Sequence, residues 1–379
     1  MDLQNRLEAC ESAQDLFRLA SELEGDLMWL KDPAERAHLH LQLGHLSKSQ
    51  CLDGIAAIRH FQEAFKSDPA RLDALGAARS TYRDLGRLSL VHKLLCLEVS
   101  SVSSVEAAGH LYQELGHVLS DQGQSELAAE AYAEALKVGY DTSAFLEDAQ
   151  IDHADYSSRV DWLVEQSAGG DVTLLLRAAA IAAKFEPDLA QAILLRAYRV
   201  APSNERVAAL VEGTFVESDQ AEDLLGLQQD ILEELGAPTE LLYQFGARWA
   251  ERHLPEAAVP LLQRALECHS SDRSVINFLY GHAQSQPDYR PQFLEITRTI
   301  SQNGEQDPAL SYLLATAGLV ALQDVKDNGK AAEFFDRLAL VDPSHRALVE
   351  FREQVAATTA THSNSESILG ARTDGPNVE

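Results

Sequence analysis

The stretch Leu115–Leu136 reads LGHVLSDQGQSELAAEAYAEAL, and its register recurs along the chain. Tyr112, Leu115, Val118 and Leu119 form an apolar stripe at helical spacing, with Gly116 inside it. The polar break Asp121-Gln122-Gly123 stops that helix, with the glycine at its C-terminal end. A second helix is expected from about Ser125, as N-cap, to Val138, with Ala128, Tyr132 and Ala135 facing inward. Small residues at Gly116 and Ala128 let two antiparallel helices approach closely, and larger neighbours fill the space. Around Gly246 the same order returns: Leu242, Phe245, Gly246 and Trp249, then Ala258, Leu262 and Ala265. The offset from Gly116 is near four times a repeat of roughly 34 residues. His40, Leu43 and Gly44 precede Ala57, Phe61, Ala64 and Pro69. Leu314, Ala317 and Gly318 precede Ala331, Phe335, Leu338 and Pro343. Both of these copies carry one extra residue in the turn. Weaker copies run through Leu75, Ala78, Tyr82, Gly86 and Leu95, and through Leu174, Ala178, Ala190, Leu194, Ala197 and Pro202. A hairpin cannot bury its apolar face alone, so recurrence forces stacking of neighbours.

This pattern resembles the tetratricopeptide repeat, a helix–turn–helix unit with W-x-x-L-G-x-x-Y, then A-x-x-x-F, then Ala and Pro. The resemblance covers about residues 34–343. Residues 109–142 and 239–272 match best, four units match moderately, and 143–170, 203–238 and 273–308 are degenerate. Tyr140 and Ser270 stand where the repeat usually has proline. The resemblance implies an all-α fold, a right-handed superhelical solenoid of about eight to nine helical hairpins. It also implies a concave groove lined by the first helix of each hairpin. The groove positions are then His38, Leu41, His45 and Lys48; Arg83; His110, Gln113, His117, Ser120 and Asp121; and Glu240, Tyr243 and Glu251. For any one of them the plain alternative is a solvated helix face. Repeat domains of this kind that clamp a chaperone's terminal carboxylate use Lys and Asn at successive first helices. Leu41, His45, Gln113 and His117 stand there instead, which disfavours that ligand.

Five segments are expected: a helical cap over residues 1–33, arrays over 34–168 and 169–343, a capping helix over 344–357, and a disordered polar tail over 358–379. Gly169-Gly170 is either a joint between the arrays or a turn within one continuous stack.

Composition narrows the partner. The 379 residues carry 59 Asp and Glu against 31 Lys and Arg, a net charge of −28. Such a chain repels phosphate backbones and anionic bilayer surfaces, so nucleic acid is not an expected partner. No uncharged apolar stretch approaches about 20 residues, so no membrane insertion is expected. The expected partner is another protein or peptide, and self-association through exposed array ends is a further route. From Val207 to Ala247 there is no Lys or Arg. This acidic middle reads either as a docking surface for a basic segment or as a device for solubility. The start MDLQNRLEAC lacks a secretory pattern, and Cys10, Cys51, Cys96 and Cys268 form no C-x-x-C. Scattered buried thiols in a cytoplasmic protein follow as the expectation.

Catalytic patterns are sparse. There is no H-E-x-x-H, P-loop, dinucleotide fingerprint or G-x-S-x-G elbow. His38, His40 and His45 cluster, but two imidazoles on a face make a poor zinc site without a third ligand. Asp152, His153 and Asp155 lie in the least regular segment and read as turn residues. The expected function is a non-catalytic interaction scaffold or adaptor, with no metal and no cofactor. The alternative is a regulatory or substrate-selecting subunit of an enzyme whose catalytic part lies on another chain or beyond residue 379. A third reading places an all-α active site within 141–170.

Overall fold

A computed structural model describes residues 3–303 and 307–353 of the chain. The described residues are helical throughout, with no strand. Most of them form antiparallel hairpins stacked in chain order, an all-α solenoid. Contacts divide the chain into two units. The larger comprises Leu23–Ala265, and the smaller comprises Met1–Glu22 together with Leu266–Glu379.

In the larger unit, α1 (Pro33–Cys51) pairs with α2 (Gly54–Ser67), α3 (Leu72–Asp84) with α4 (Leu88–Ser101), and α5 (Val105–Asp121) with α6 (Ser125–Lys137). The short α7 (Ser143–Ala149) and α8 (Tyr156–Gln166) follow. Then α9 (Val172–Phe185) pairs with α10 (Pro187–Val200), α11 (Glu205–Glu217) with α12 (Ala221–Leu235), and α13 (Thr239–Glu251) with the helix that begins at Pro255. Side-chain caps mark several first helices: Asp32, Ser104, Asp171 and Asn204 each accept a hydrogen bond from a first-turn N–H. Ser125, expected as an N-cap, lies buried inside α6, and Gln124 precedes it with no side-chain cap bond.

The small–large register is the packing code. A Cβ built on Gly44 would sit 2.4 Å from the Phe61 ring, and one on Gly116 would sit 2.4 Å from the Tyr132 ring. At Gly246 the obstacle is Leu262 at 2.7 Å, and at Gly318 it is Phe335 at 2.8 Å. Phe61, Tyr132, Leu262 and Phe335 are each no more than 1 % exposed. Burying an aromatic ring to that degree supplies about 2–3 kcal/mol, and only a glycine opposite leaves room for it. The extra residue of two copies is absorbed locally. Leu52 turns the backbone after α1 with φ 53°. In the late copy, Val320–Val325 form a π-helical segment that ends at Lys326 with φ 59°.

The irregular stretch keeps its place by charge rather than by register. Asp148, 7 % exposed, accepts from Arg159 Nε at 3.0 Å and from Arg177 Nε at 2.5 Å. Asp152 accepts from the backbone N–H groups of Ala154 and Asp155, so these are turn residues. Gly169-Gly170, read as either a joint or a turn within one stack, lies inside the larger unit. Ser167–Gly169 form a single 3₁₀ turn there, and α8 packs on α9 across it. The contact boundary between the two units falls at 265/266.

In the smaller unit the first described residues pack on Arg273–Ser285 and Ser311–Leu319, helices from the far end of the chain, while Glu24 of the expected cap lies in the larger unit, 3.7 Å from His60. Ala13 N donates to Thr316 Oγ1 at 3.0 Å, and the Phe17 ring stands edge-on to Tyr280 at 5.3 Å. Arg273 donates to the Cys10 carbonyl at 3.3 Å, and Arg346 pairs with Asp15 at 2.5 Å. Residues 308–325 are apolar and long enough to cross a bilayer, but 61 % of that stretch is buried in the structure. The final helix is described over 346–353. The rest of the expected capping helix and the whole polar tail lie outside the described residues.

Candidate functional site

The inner face of the larger unit closes on itself. Helix α11 packs on α3 and α4, and α13 packs on α2. The tightest crossing is glycine against glycine. A Cβ on Gly213 would sit 2.6 Å from the Gly86 carbonyl oxygen, and one on Gly86, whose φ is +73°, would sit 2.4 Å from Gly213 Cα. Nearby, Arg252 Nη2 donates to the Asp84 carbonyl at 2.9 Å, and His253 Nε2 lies 2.7 Å from Asp53 Oδ1. The expected groove is thus interrupted rather than continuous.

Beside that crossing, α3, α5 and α11 enclose a cavity of about 440 Å³. Five expected groove residues line it: Arg83, His110, Gln113, His117 and Asp121. Arg79, Glu114, Glu205 and Arg206 complete its charged wall. Each cation is held. Arg79 pairs with Glu98 at 2.7 Å and with Glu114 at 2.5 Å, and Arg83 also pairs with Glu114. Arg206 grips Asp121 through two bonds of 2.9 and 2.6 Å. Asp121 outweighs burial and raises the Arg206 pKa, whereas burial and Arg79 lower that of Arg83. His117 Nδ1 meets the Tyr132 hydroxyl at 2.9 Å. Burial, then Arg206 and Arg83, push the His117 pKa down to about 3, so its imidazole is neutral at physiological pH.

The other expected groove residues lie elsewhere. Leu41 is 8 % exposed and belongs to the core with Phe61, Ala74 and Ala78, because α3 covers its face. Ser120 is buried. His38 is exposed, and His45 packs edge-on to Phe61. His40 meets His60, with Nδ1 atoms 3.2 Å apart across the α1–α2 hairpin. Lys48 is tied to Asp84 at 2.6 Å. Glu240 is exposed and accepts from Gln244 at 2.8 Å, and Tyr243 is half-buried. Glu251 is buried, not solvated.

Sequence reasoning missed a buried charge network behind this face. Glu212, counted in the acidic middle, is fully buried. It pairs with Arg248 at 2.9 Å and Arg252 at 2.8 Å, and accepts from Tyr198 at 2.7 Å. Gln228 links Tyr198 to Trp249 Nε1, which donates to it at 2.7 Å. Burial alone would raise the Glu212 pKa, but the two guanidinium groups outweigh it and hold it low. The signal was available in part: Arg248 and Arg252 are one helical turn apart, just after a stretch with no cation. The remaining acids of that stretch are exposed. Glu222, Asp223, Asp230, Glu233 and Glu234 all lie on α12. Of these five only Glu234 makes an ion pair among the described residues, with Arg199 at 2.9 Å.

All four cysteines are free, but only Cys10 is fully buried; Cys96 and Cys268 are exposed. Among the described residues no group of three His, Cys, Asp or Glu is arranged to hold a metal.

No protein-family profile matches the chain, and no curated protein sequence matches it. Among solved structures, the crystal structure of the P58(IPK) TPR domain is similar over 86 % of this chain and 99 % of that one, at 16 % identity and a TM-score of 0.26. A superposition that loose decides nothing here. The hairpin array is established by the chain's own helices and by its glycine–ring contacts.

Proposed function

We propose that the protein is a non-catalytic interaction scaffold of the tetratricopeptide type, holding a segment of a protein partner at its inner face. The observation that carries this reading is the cavity between α3, α5 and α11. Side chains from two successive hairpins and from the distant α11 converge on it, and the arginines there are already neutralised. Such a wall offers directional hydrogen bonds from His110 and Gln113, with its arginines already paired and the Glu205 carboxylate left to meet a cation. Pre-formed helices also lower the ordering cost on the receptor side. The net charge of −28 and the exposed carboxylates of α12 support a basic partner. The free cysteines suit a reducing, cytoplasmic setting.

The test is capture from native lysate at low and high salt, with the wild type and a His110→Ala/Gln113→Ala variant. The expected result is a dominant partner that weakens in high salt and is lost by the variant. Retention of every partner by the variant would overturn the placement of the site. A captured partner that carries a catalytic domain and resists salt would favour a stable enzyme subunit instead.

A further inference from the structure

A second cavity, of about 190 Å³, is lined by Asp84, Ser203, Glu205, Gln244, Arg248 and Glu251, with Ala208 and Ala209. That volume accommodates several waters or the end of a long side chain. Its lining carries three carboxylates, of Asp84, Glu205 and Glu251, against one cation, Arg248. Glu251 is 8 % exposed, and its Oε2 is buried without a hydrogen-bond partner. Gln244 Oε1 is buried without a partner as well, while its amide nitrogen donates outward to Glu240.

The nearby cations are directed mainly elsewhere, although Nε of Arg248 and Nε of Arg252 are also buried without a hydrogen-bond partner. Arg248 faces Glu212 at 2.9 Å and donates to the Pro202 carbonyl at 3.3 Å. Arg252 holds Glu212 and the Asp84 carbonyl. Lys48 holds Asp84 Oδ2 and Ser80. A buried carboxylate oxygen and a buried amide oxygen left without donors are costly, and native interiors rarely keep them. Ammonium and guanidinium groups carry only donors, so either satisfies both oxygens at once.

We propose that this cavity receives the terminal guanidinium or ammonium of an Arg or Lys side chain from a partner segment, with Glu251 as its carboxylate and Gln244 as its second acceptor. The proposal rests on the scaffold reading and deepens it, since it gives the basic partner an anchor. Charge around Glu251 sets its pH dependence. Burial, then Asp84, raise its pKa to about 7, while Lys48, Arg252 and Arg248 pull the other way. Glu205 also lines the cavity, and the backbone at Gly54 closes over the Glu251 Cβ. Below that pKa the carboxyl keeps its proton and repels no anion; above it the carboxylate takes the cation. Binding therefore tightens as pH rises through about 7.

The experiment uses the full chain with Nα-acetyl-arginine amide, Nα-acetyl-lysine amide and the uncharged Nα-acetyl-citrulline amide, followed by ligand-observed NMR at pH 6 and pH 8. Expected is binding of at least one cationic amide, stronger at the higher pH, with the citrulline amide about tenfold weaker. Glu251→Gln keeps the shape and removes a buried charge, so it should fold while losing about tenfold in affinity. Gln244→Leu provides a second, independent weakening. Equal binding of citrulline amide, equal binding by Glu251→Gln, or no cation binding by folded wild type would each overturn the pocket. None of these probes needs a partner. Failure here leaves the scaffold to the capture experiment, and cation binding without any captured partner overturns the scaffold reading alone.

Discussion

At the residue scale, single atoms decide whether a hairpin closes. Gly116 faces the Tyr132 ring where a Cβ would be 2.4 Å away, whereas a Cβ on Gly226 of α12 would meet nothing within 4 Å. Gly116→Ala should therefore cost about 1–3 kcal/mol through overpacking. Gly226→Ala should gain up to about 1 kcal/mol from helix propensity. Denaturant titration of both variants checks the pair; a neutral Gly116→Ala would mean the ring moves freely. Glu212 tests the opposite kind of site. Glu212→Ala leaves Arg248 and Arg252 facing each other around a buried gap, and should cost about 3–5 kcal/mol. Because the folded-state pKa of Glu212 is lowered, its contribution is present above the unfolded value and fades as pH falls through the folded one. Unfolding measured from pH 7 down to pH 3 should show a loss of stability at the acid end that Glu212→Ala lacks.

At the element scale, two kinds of contact order the helices. Successive hairpins are joined by ion pairs one repeat apart: Lys48 with Asp84, Arg79 with Glu114, Arg199 with Glu234 and Arg298 with Glu333. Those spacings follow the repeat length, so opposite charges in register were visible in the sequence once the period was known. The Gly86–Gly213 crossing is different, because backbone meets backbone and no rotamer change can relieve a new methyl. Gly213→Ala should push α11 away from the turn between α3 and α4, at a cost of about 3 kcal/mol. Hydrogen exchange should quicken across residues 84–88 and 205–217, while the α5–α6 hairpin keeps its protection. Unchanged exchange in α11 would show the crossing to be loose.

At the scale of the whole molecule, the first 22 residues share a unit with residues from 266 onward. Deleting residues 1–22 removes Phe17 from Tyr280, Asp15 from Arg346 and the Ala13–Thr316 bond. The deletion should raise exchange in residues 273–285 and 311–319, and leave the α5–α6 hairpin near wild-type protection. Loss of protection in α1 and α2 with none at residues 311–319 would instead make these residues a cap on the hairpins that follow them.

Much of this architecture was legible in the residue order. Gly116 with Tyr132 and Gly318 with Phe335 are local pairs on the two helices of one hairpin, so helical spacing and a single connecting turn bring them together. The hairpin at Val105–Lys137 and its break at Gln122 and Gly123 follow from that local rule, whereas the expectation that His110, Gln113 and His117 line a groove comes from the family resemblance. What the residue order did not reveal are contacts between hairpins several repeats apart. Burial of Glu212 depends on Arg248 and Arg252. The walls of both cavities depend on α11 meeting α3 and, for the larger, α5 as well. A periodic sequence sets the structure of each repeat and its nearest neighbour, where the sequence separation is fixed. Small rotations accumulated over several repeats decide which distant helices meet, and no local pattern encodes their sum.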